Sequence, residues 1–308
     1  MKIPPSDLYS KAYCNYGVPA FNVFNAEQIH GVFSGAELSE LPVIIQITPV
    51  ARNYMHPEFL EAMIKAAENI YPKTDFFVHL DHGNVGHCEN AVQSGFYNSI
   101  MIDASHEEFS KNVLITSGVV KNAHDKGIAV EAELGILSGV EDDIISEKSL
   151  YTDPDQAAEF VEKTKCDSLA IAIGTSHGAY KMKSTGKIRI DILKKIKALL
   201  PDFPIVLHGA SNVSQSEVQR INNAGGKIKD DAKGISPEEL SEAIKLGVSK
   251  INIATDLRIL WTRVHREFFN NSPEQFDPII PGKEYIKELS QFVKNKCESF
   301  LVNPGWKF

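Results

Sequence analysis

Apolar residues along the chain gather in short continuous runs, and each run stops at polar residues and glycine. Such runs occur at Pro19–Phe24, Pro42–Thr48, Phe76–His82, Ser99–Ser105, Ala129–Leu134, Ser168–Gly174, Pro204–Ala210 and Lys250–Thr255. Runs of this length without polar alternation predict strands buried on both faces, as in a parallel sheet. Between them lie helical patterns that open on Asn25, His56-Pro57, Asp153-Pro154, Ser214 with Glu217, and Ser236-Pro237. A polar cap, proline at the first helical position and an acid or amide in the first turn satisfy free amides and complement the helix dipole. Gly95, Gly127 and Gly247 stand where helix hands over to strand, the place for a left-handed C-cap. Eight alternations in one chain predict a closed (β/α)8, or TIM, barrel forming one domain over residues 1–308. An open doubly wound sheet is the second choice, weakened because no Gly-x-Gly-x-x-Gly follows the first run.

Two stretches stand outside the repeat. Residues Ser138 to Asp153 make a loop long enough to serve as a lid or to be disordered. Beyond the eighth run the pattern predicts a helix near 257–269, a proline-containing coil and an extra C-terminal helix near 283–300.

Composition narrows the function. With 308 residues, 43% hydrophobic and 23% charged, the chain has material for a large core. A formal net charge of -8 argues against a polyanion-binding surface, because nucleic-acid affinity comes from clustered Lys and Arg. Cys14, Cys88, Cys166 and Cys297 form no closely spaced pair, so neither a zinc ribbon nor a dithiol redox motif is indicated, and four scattered thiols suit a reducing compartment. The N-terminus has no apolar signal core and no apolar run reaches the ~18 residues of a membrane span, so a cytoplasmic protein without a membrane partner is expected.

The candidate chemistry sits at the ends of the runs. Three of them lead to His-Gly pairs, at His82-Gly83, His177-Gly178 and His208-Gly209. In a barrel all strand ends open on one face, so these three imidazoles can meet and hold a zinc ion that keeps positions open for substrate oxygens. Asp81, beside His82, is a candidate proton donor or a partner to an imidazole once the backbone turns at Gly83; its bland alternative is a helix cap. Asp103 and Glu133 end the fourth and fifth runs as candidate secondary metal ligands, with Glu131 on the same side as Glu133 by the period of two. Gly178, Gly209 and Ser211, with Asn252 and Thr255, suit phosphate, which barrels often bind near the last two strands, and Lys181 can add charge.

The segments Leu80-Asp-His-Gly83, Ile102-Asp-Ala-Ser105, Val130-Glu-Ala-Glu-Leu-Gly135, Gly174-Thr-Ser-His-Gly178, Leu207-His-Gly-Ala-Ser211 and Asn252-x-x-Thr255 together resemble the class II, metal-dependent ketose-bisphosphate aldolases. The resemblance spans essentially the whole chain. It implies a zinc-dependent barrel that cleaves a ketose 1,6-bisphosphate, fructose or tagatose, into dihydroxyacetone phosphate and glyceraldehyde 3-phosphate through a zinc-stabilised enediolate. It also implies a homodimer or a larger assembly such as a homotetramer, often with a monovalent cation, Na⁺ or K⁺. Carried over by position, His82, His177 and His208 match the zinc ligands, Asp81 the residue exchanging a proton with the C4 oxygen, and Glu141 the enediolate proton shuttle. Gly178, Lys181, Gly209, Ser211, Asn252 and Thr255 fall where the ketone-side phosphate and hydroxyls are held. Thr48 and Arg258 fall at the second phosphate, and Asn22 at a substrate-side polar group. Ala254 replaces the acidic residue of the commonest fructose-type motif, and Asn252-Ile-Ala-Thr-Asp-Leu resembles the tagatose branch instead. Two rivals to this activity are a metal-dependent lyase acting on another ketose and a silent barrel that only binds sugar phosphates.

Overall fold

The computed structural model describes residues 1–136, 138–141, 144–146, 150–177, 188–211, 214–229 and 235–308, with the backbone alone at 138–141, 144–146, 176 and 177. The first half of the chain runs α1 (Pro5–Ala12), β1 (Val18–Asn22), α2 (Ala26–Ser39), β2 (Val43–Ile47), α3 (Pro49–Met55), α4 (Pro57–Ile70), β3 (Phe76–Gly83), α5 (Val85–Ser94), β4 (Ser99–Ile102), α6 (Phe109–His124) and β5 (Ala129–Leu134). It continues through β6 (Ser138–Glu141), β7 (Ile144–Ser146), α7 (Pro154–Thr164), β8 (Ser168–Ile171), β9 (Ser176–His177), α8 (Ile190–Leu199) and β10 (Ile205–Leu207). Last come α9 (Gln215–Asn223), α10 (Pro237–Lys245), β11 (Val248–Ile253), α11 (Thr255–Asn271) and α12 (Ile279–Ser299). Strands β1, β11, β10, β8, β5, β4, β3 and β2, in that spatial order, close into a parallel barrel, and β7, β6 and β9 form a separate small sheet. The predicted (β/α)8 barrel is therefore the fold.

Each of the eight runs contains a barrel strand, and six of the strands stop earlier than their runs; the fifth ends with its run and the third extends one residue past it, to Gly83. The fourth ends at Ile102, the sixth at Ile171 and the seventh at Leu207, and Asp103 and His208, just past two of these ends, join the polar cluster at the mouth. The eighth spans Val248–Ile253, so Thr255 opens α11 and does not lie on a strand. Caps follow the sequence at Asn25, His56, Asp153 and Ser236, whose side chains accept from backbone amides, whereas Ser214 makes no such bond. The stretch after β5 is not a structureless loop over its described residues: Val140 pairs with Ile145, and Gly139 pairs in parallel with His177.

Side chains divide the strands cleanly. On β3, Phe76 points out and meets Phe33 of α2 edge to face at 4.8 Å, while Phe77 points in and meets Tyr9 of α1 at 5.8 Å. Helix α1, whose Pro5 sits at its first position, thus covers the bottom of the barrel with Leu8, Tyr9 and Ala12, all buried. The C-terminal helix α12 packs against α2, where Gly31 and Gly35 let the two backbones approach Leu289, Ser290 and Val293. It is part of the helical shell. Above Phe77 the inward positions of β3 are His79 and Asp81, and those of β5 and β11 are Glu131, Glu133, Lys250 and Asn252. The upper barrel is therefore filled with polar groups.

Candidate active site

The site is built in two tiers. The lower tier lies wholly inside the barrel, where Lys250 Nζ stands 2.7 Å from Glu131 Oε2 and 3.2 Å from His79 Nε2. An ammonium only donates, so His79 Nε2 accepts, and its Nδ1–H is left to donate to Ser99 Oγ at 2.9 Å. Burial, then the Lys250 charge, hold the His79 imidazole well below its ordinary pKa, and it is neutral. Burial alone would raise the Glu131 carboxyl. The Lys250 charge, aided by the hydrogen bond from His208, outweighs it and leaves the group below the usual carboxylate range.

The upper tier opens at the mouth. Asp81, fully buried, accepts from Asn22 Nδ2 at 2.7 Å and from Asn252 Nδ2 at 3.2 Å. Gln46 Nε2 donates to Asn22 Oδ1 at 3.0 Å, which fixes the way the Asn22 amide faces. His82 Nδ1 lies 3.0 Å from Asp103 Oδ2, while Asp103 Oδ1 accepts from both the amide and the hydroxyl of Ser105. Burial pushes the Asp103 carboxyl up, and the hydrogen bonds from His82 and Ser105 override it, so it stays well below its ordinary value. His208 Nε2 lies 2.9 Å from Glu131 Oε1, and burial holds its imidazole below the ordinary pKa.

Two residues apart on a strand share a face, so adjacent Asp81 and His82 should diverge. They do not, because His82 itself adopts the left-handed conformation, φ +48°, at a point where the register with β4 shifts. The turn expected at Gly83 thus comes one residue earlier, and it swings the imidazole back over the mouth at a strain of roughly 1–2 kcal/mol.

The two imidazoles now face each other, His208 Nδ1 to His82 Nε2 at 2.9 Å. Each has its other nitrogen against an ionised carboxylate, which can only accept, so each carries its hydrogen there. Both facing nitrogens then present lone pairs to one point, an arrangement that repels unless a proton or a metal cation lies between them. Asp81, His82 and His208 offer three ligand atoms all within 4.8 Å of one another, and His82, Asp103 and Glu133 offer a second such set. Nitrogen donors converging with open positions fit a divalent metal of the zinc type.

Several expected residues gather here and others do not. Asp81, His82, His208, Asp103, Glu133, Asn22 and Asn252 form one cluster, and the Asn252 Oδ1 atom is buried without a hydrogen-bond partner. Thr48, after β2, caps α3 by accepting from Ala51 N at 3.2 Å. Gly209, with φ +61°, and buried Ser211 follow β10; Thr255 and exposed Arg258 lie in the first turn of α11. His177 lies six residues past the end of β8 on β9, and Glu141 ends β6, which pairs with β9; both side chains lie outside the described residues. Gly178 and Lys181 also lie outside the described residues. Sequence reasoning missed His79, Ser99, Gln46 and Lys250. The available signal was the period of two, since His79 and Lys250 each stand two residues before a mouth residue.

A family model described as "Fructose-bisphosphate aldolase class-II" matches residues 6–303. The chain is 43% identical over 280 residues to a fructose-bisphosphate aldolase of Giardia intestinalis, covering 89% of this chain and 85% of that one. It is 43% identical over 291 residues to a fructose-bisphosphate aldolase of Thermus caldophilus, covering 92% and 93%. Among solved structures, the YdjI aldolase of Escherichia coli K12 superposes with a TM-score of 0.78 at 31% identity over the whole of both chains. With a barrel whose mouth gathers His82, His208, Asp81, Asp103 and Glu133 from the segments that carried the resemblance, the chain belongs to the class II fructose-bisphosphate aldolase family.

Proposed function

We propose that this chain, acting as one domain over residues 1–308, reversibly cleaves a ketose 1,6-bisphosphate, tagatose or fructose, to dihydroxyacetone phosphate and glyceraldehyde 3-phosphate. The observation that carries this reading is the pair of imidazole nitrogens that face each other at 2.9 Å beside the buried Asp81 carboxylate. His82 and His208, joined by His177, would hold a zinc ion, whose Lewis acidity would stabilise the negative charge left when the C3–C4 bond breaks. Asp81, clamped by two amide donors, takes the C4 hydroxyl proton on cleavage and returns it on condensation. Glu141 exchanges the C3 proton of dihydroxyacetone phosphate. Asn252, with its Oδ1 free to receive a substrate hydroxyl, joins Gly178, Lys181, Gly209, Ser211 and Thr255 in binding the ketone-side phosphate and hydroxyls, and Asn22, Thr48 and Arg258 act toward the other end of the substrate. Asp103 and Glu133 form a secondary metal position.

The wider setting in this reading is a cytoplasmic homodimer or homotetramer that also takes a monovalent cation, Na⁺ or K⁺. Among the described residues no helix is long and apolar enough to cross a membrane. A coupled cleavage assay on fructose and tagatose 1,6-bisphosphates, run with and without chelator, tests the reading. Cleavage of at least one epimer that chelator abolishes and zinc restores is expected, and because Ala254 stands where the fructose-type motif has an acidic residue, the ratio of the two rates reads whether the C4 preference is relaxed or reversed. No cleavage of either epimer by the zinc-loaded chain would overturn it.

A further inference from the structure

Lys250 and Glu131 are fully buried in the lower tier, and nothing in the chemistry proposed above uses them. A solvent-free ion pair is no better for stability than apolar side chains of the same size, so its presence asks for a reason. The reason is in the geometry. Glu131 spans the tiers: Oε2 is held by the Lys250 ammonium at 2.7 Å and Oε1 meets His208 Nε2 at 2.9 Å. Lys250 in turn is held by His79 Nε2 at 3.2 Å, and His79 by Ser99. The chain of bonds runs Ser99, His79, Lys250, Glu131, His208, and every link has a defined donor and acceptor.

We infer that Glu131 is a positioning residue that obliges His208 to carry its hydrogen on Nε2 and so to present Nδ1 to the metal position, with Lys250 holding the carboxylate in place. This inference rests on the metal reading above. The alternative ring assignment, hydrogen on Nδ1, would leave Nε2 and the carboxylate as two acceptors 2.9 Å apart and close the Nδ1 lone pair to any cation. Asn252 does not compete for the role. Its Nδ2 lies 3.2 Å from Nδ1 and 3.3 Å from Nε2, too near both at once to lie along either lone pair, so it sits over the ring face. His82 has a matching arrangement with Asp103, but that carboxylate lies at the mouth with about 10% of its side chain exposed and is held by Ser105, not by a buried cation.

The test uses two double variants in which the buried charges leave together: E131L/K250M, which removes the acceptor, and E131Q/K250M, which keeps a neutral one. Zinc affinity is read by competition with a chelating indicator, and the visible spectrum of the cobalt-substituted chain reports ligand geometry. Partners that orient a metal ligand are worth ~10–100-fold in affinity, so E131L/K250M is expected to bind zinc at least tenfold more weakly than the parent, with an altered cobalt spectrum, and E131Q/K250M to recover most of the loss. If both bind zinc within threefold of the parent, Glu131 only neutralises Lys250 and the inference fails. A parent that binds no zinc instead overturns the metal reading itself. On the parent, independently of how the variants fold, ¹⁵N-histidine spectra of the zinc-loaded chain, with His208 assigned by its loss in His208→Asn, read the ring directly. Hydrogen on Nε2 is expected; hydrogen on Nδ1 overturns the inference.

Discussion

Replacing Asp81 by alanine separates the proton-transfer role from a structural one. The carboxylate is fully buried and receives two amide donors, Asn22 Nδ2 at 2.7 Å and Asn252 Nδ2 at 3.2 Å. Truncation strands both. At ~1–3 kcal/mol for each donor left without an acceptor, about 2–6 kcal/mol of stability is lost if the space stays dry, and less if water enters from the mouth. The kinetic loss has another origin. A well-placed acid-base group contributes ~10²–10⁴ in rate, which is about 2.7–5.4 kcal/mol of barrier. Urea unfolding measures the first loss and steady-state cleavage at saturating substrate the second, with zinc content by elemental analysis run on the same sample. The expected variant is folded, retains its metal and turns over at least a hundredfold more slowly. A turnover loss under tenfold would refute the proton-transfer role, and loss of zinc with retained fold would make Asp81 a ligand.

Two further outcomes follow from the packing and the buried imidazoles. His79 is neutral in the fold because burial and Lys250 depress its pKa, whereas in the unfolded chain it titrates near 6.5, so below that pH the unfolded state binds the extra proton and stability falls by up to about 1.4 kcal/mol per pH unit. His208 shifts in the same direction, while Glu131, with its folded pKa lowered, adds stability above about pH 4.5 that is lost only at lower pH. Urea midpoints of the metal-free chain should therefore drop from pH 7 to pH 5.5, and a level profile would contradict the neutral assignment. Gly35→Ala would place a Cβ against the Ser290 carbonyl oxygen and 2.6 Å from Val293 Cβ, costing ~1–3 kcal/mol despite the ~1 kcal/mol gained in helix propensity. Gly118→Ala on α6, with nothing within 4 Å, is the control, expected to be neutral or stabilising by the same unfolding assay.

The barrel was legible because its strands are buried on both faces, so their apolar runs stand out and their ends expose the polar residues that form the mouth. Asp81, His82 and His208 were found that way. What escaped was set by tertiary pairing. The left-handed turn at His82 leaves no mark in Leu80-Asp-His-Gly83, because a positive φ at histidine is imposed by the register shift against β4 and not by its own preference. Strands β6 and β9 were invisible for a similar reason: each is short, and Gly139 is extended because it pairs with His177, 38 residues away in sequence. Helix α3 went unread since Thr48, assigned to phosphate, is also its cap. Lone polar residues such as His79 and Lys250 inside apolar runs read as exceptions to a strand until the barrel supplies their partners.

Those exceptions share one height in the barrel, and that position explains why the fold tolerates them. The interior of a (β/α)8 barrel is ordinarily filled by layers of branched apolar side chains, and here Phe77 and Tyr9 fill the lowest layer in that manner. The outward faces of the same strands, among them Phe76, Val78, Leu80, Val130 and Ala132, bury their apolar surface against the helices regardless of what points inward. Stability is thereby carried by one face of each strand, and the other face is free to hold groups chosen for orientation. A Lys–Glu pair at the mouth would be loosened by water and screened by salt, whereas one layer lower it is shielded from both. Its position one layer below His208, two residues down each of two strands, gives the imidazole above it a fixed acceptor that solvent cannot displace.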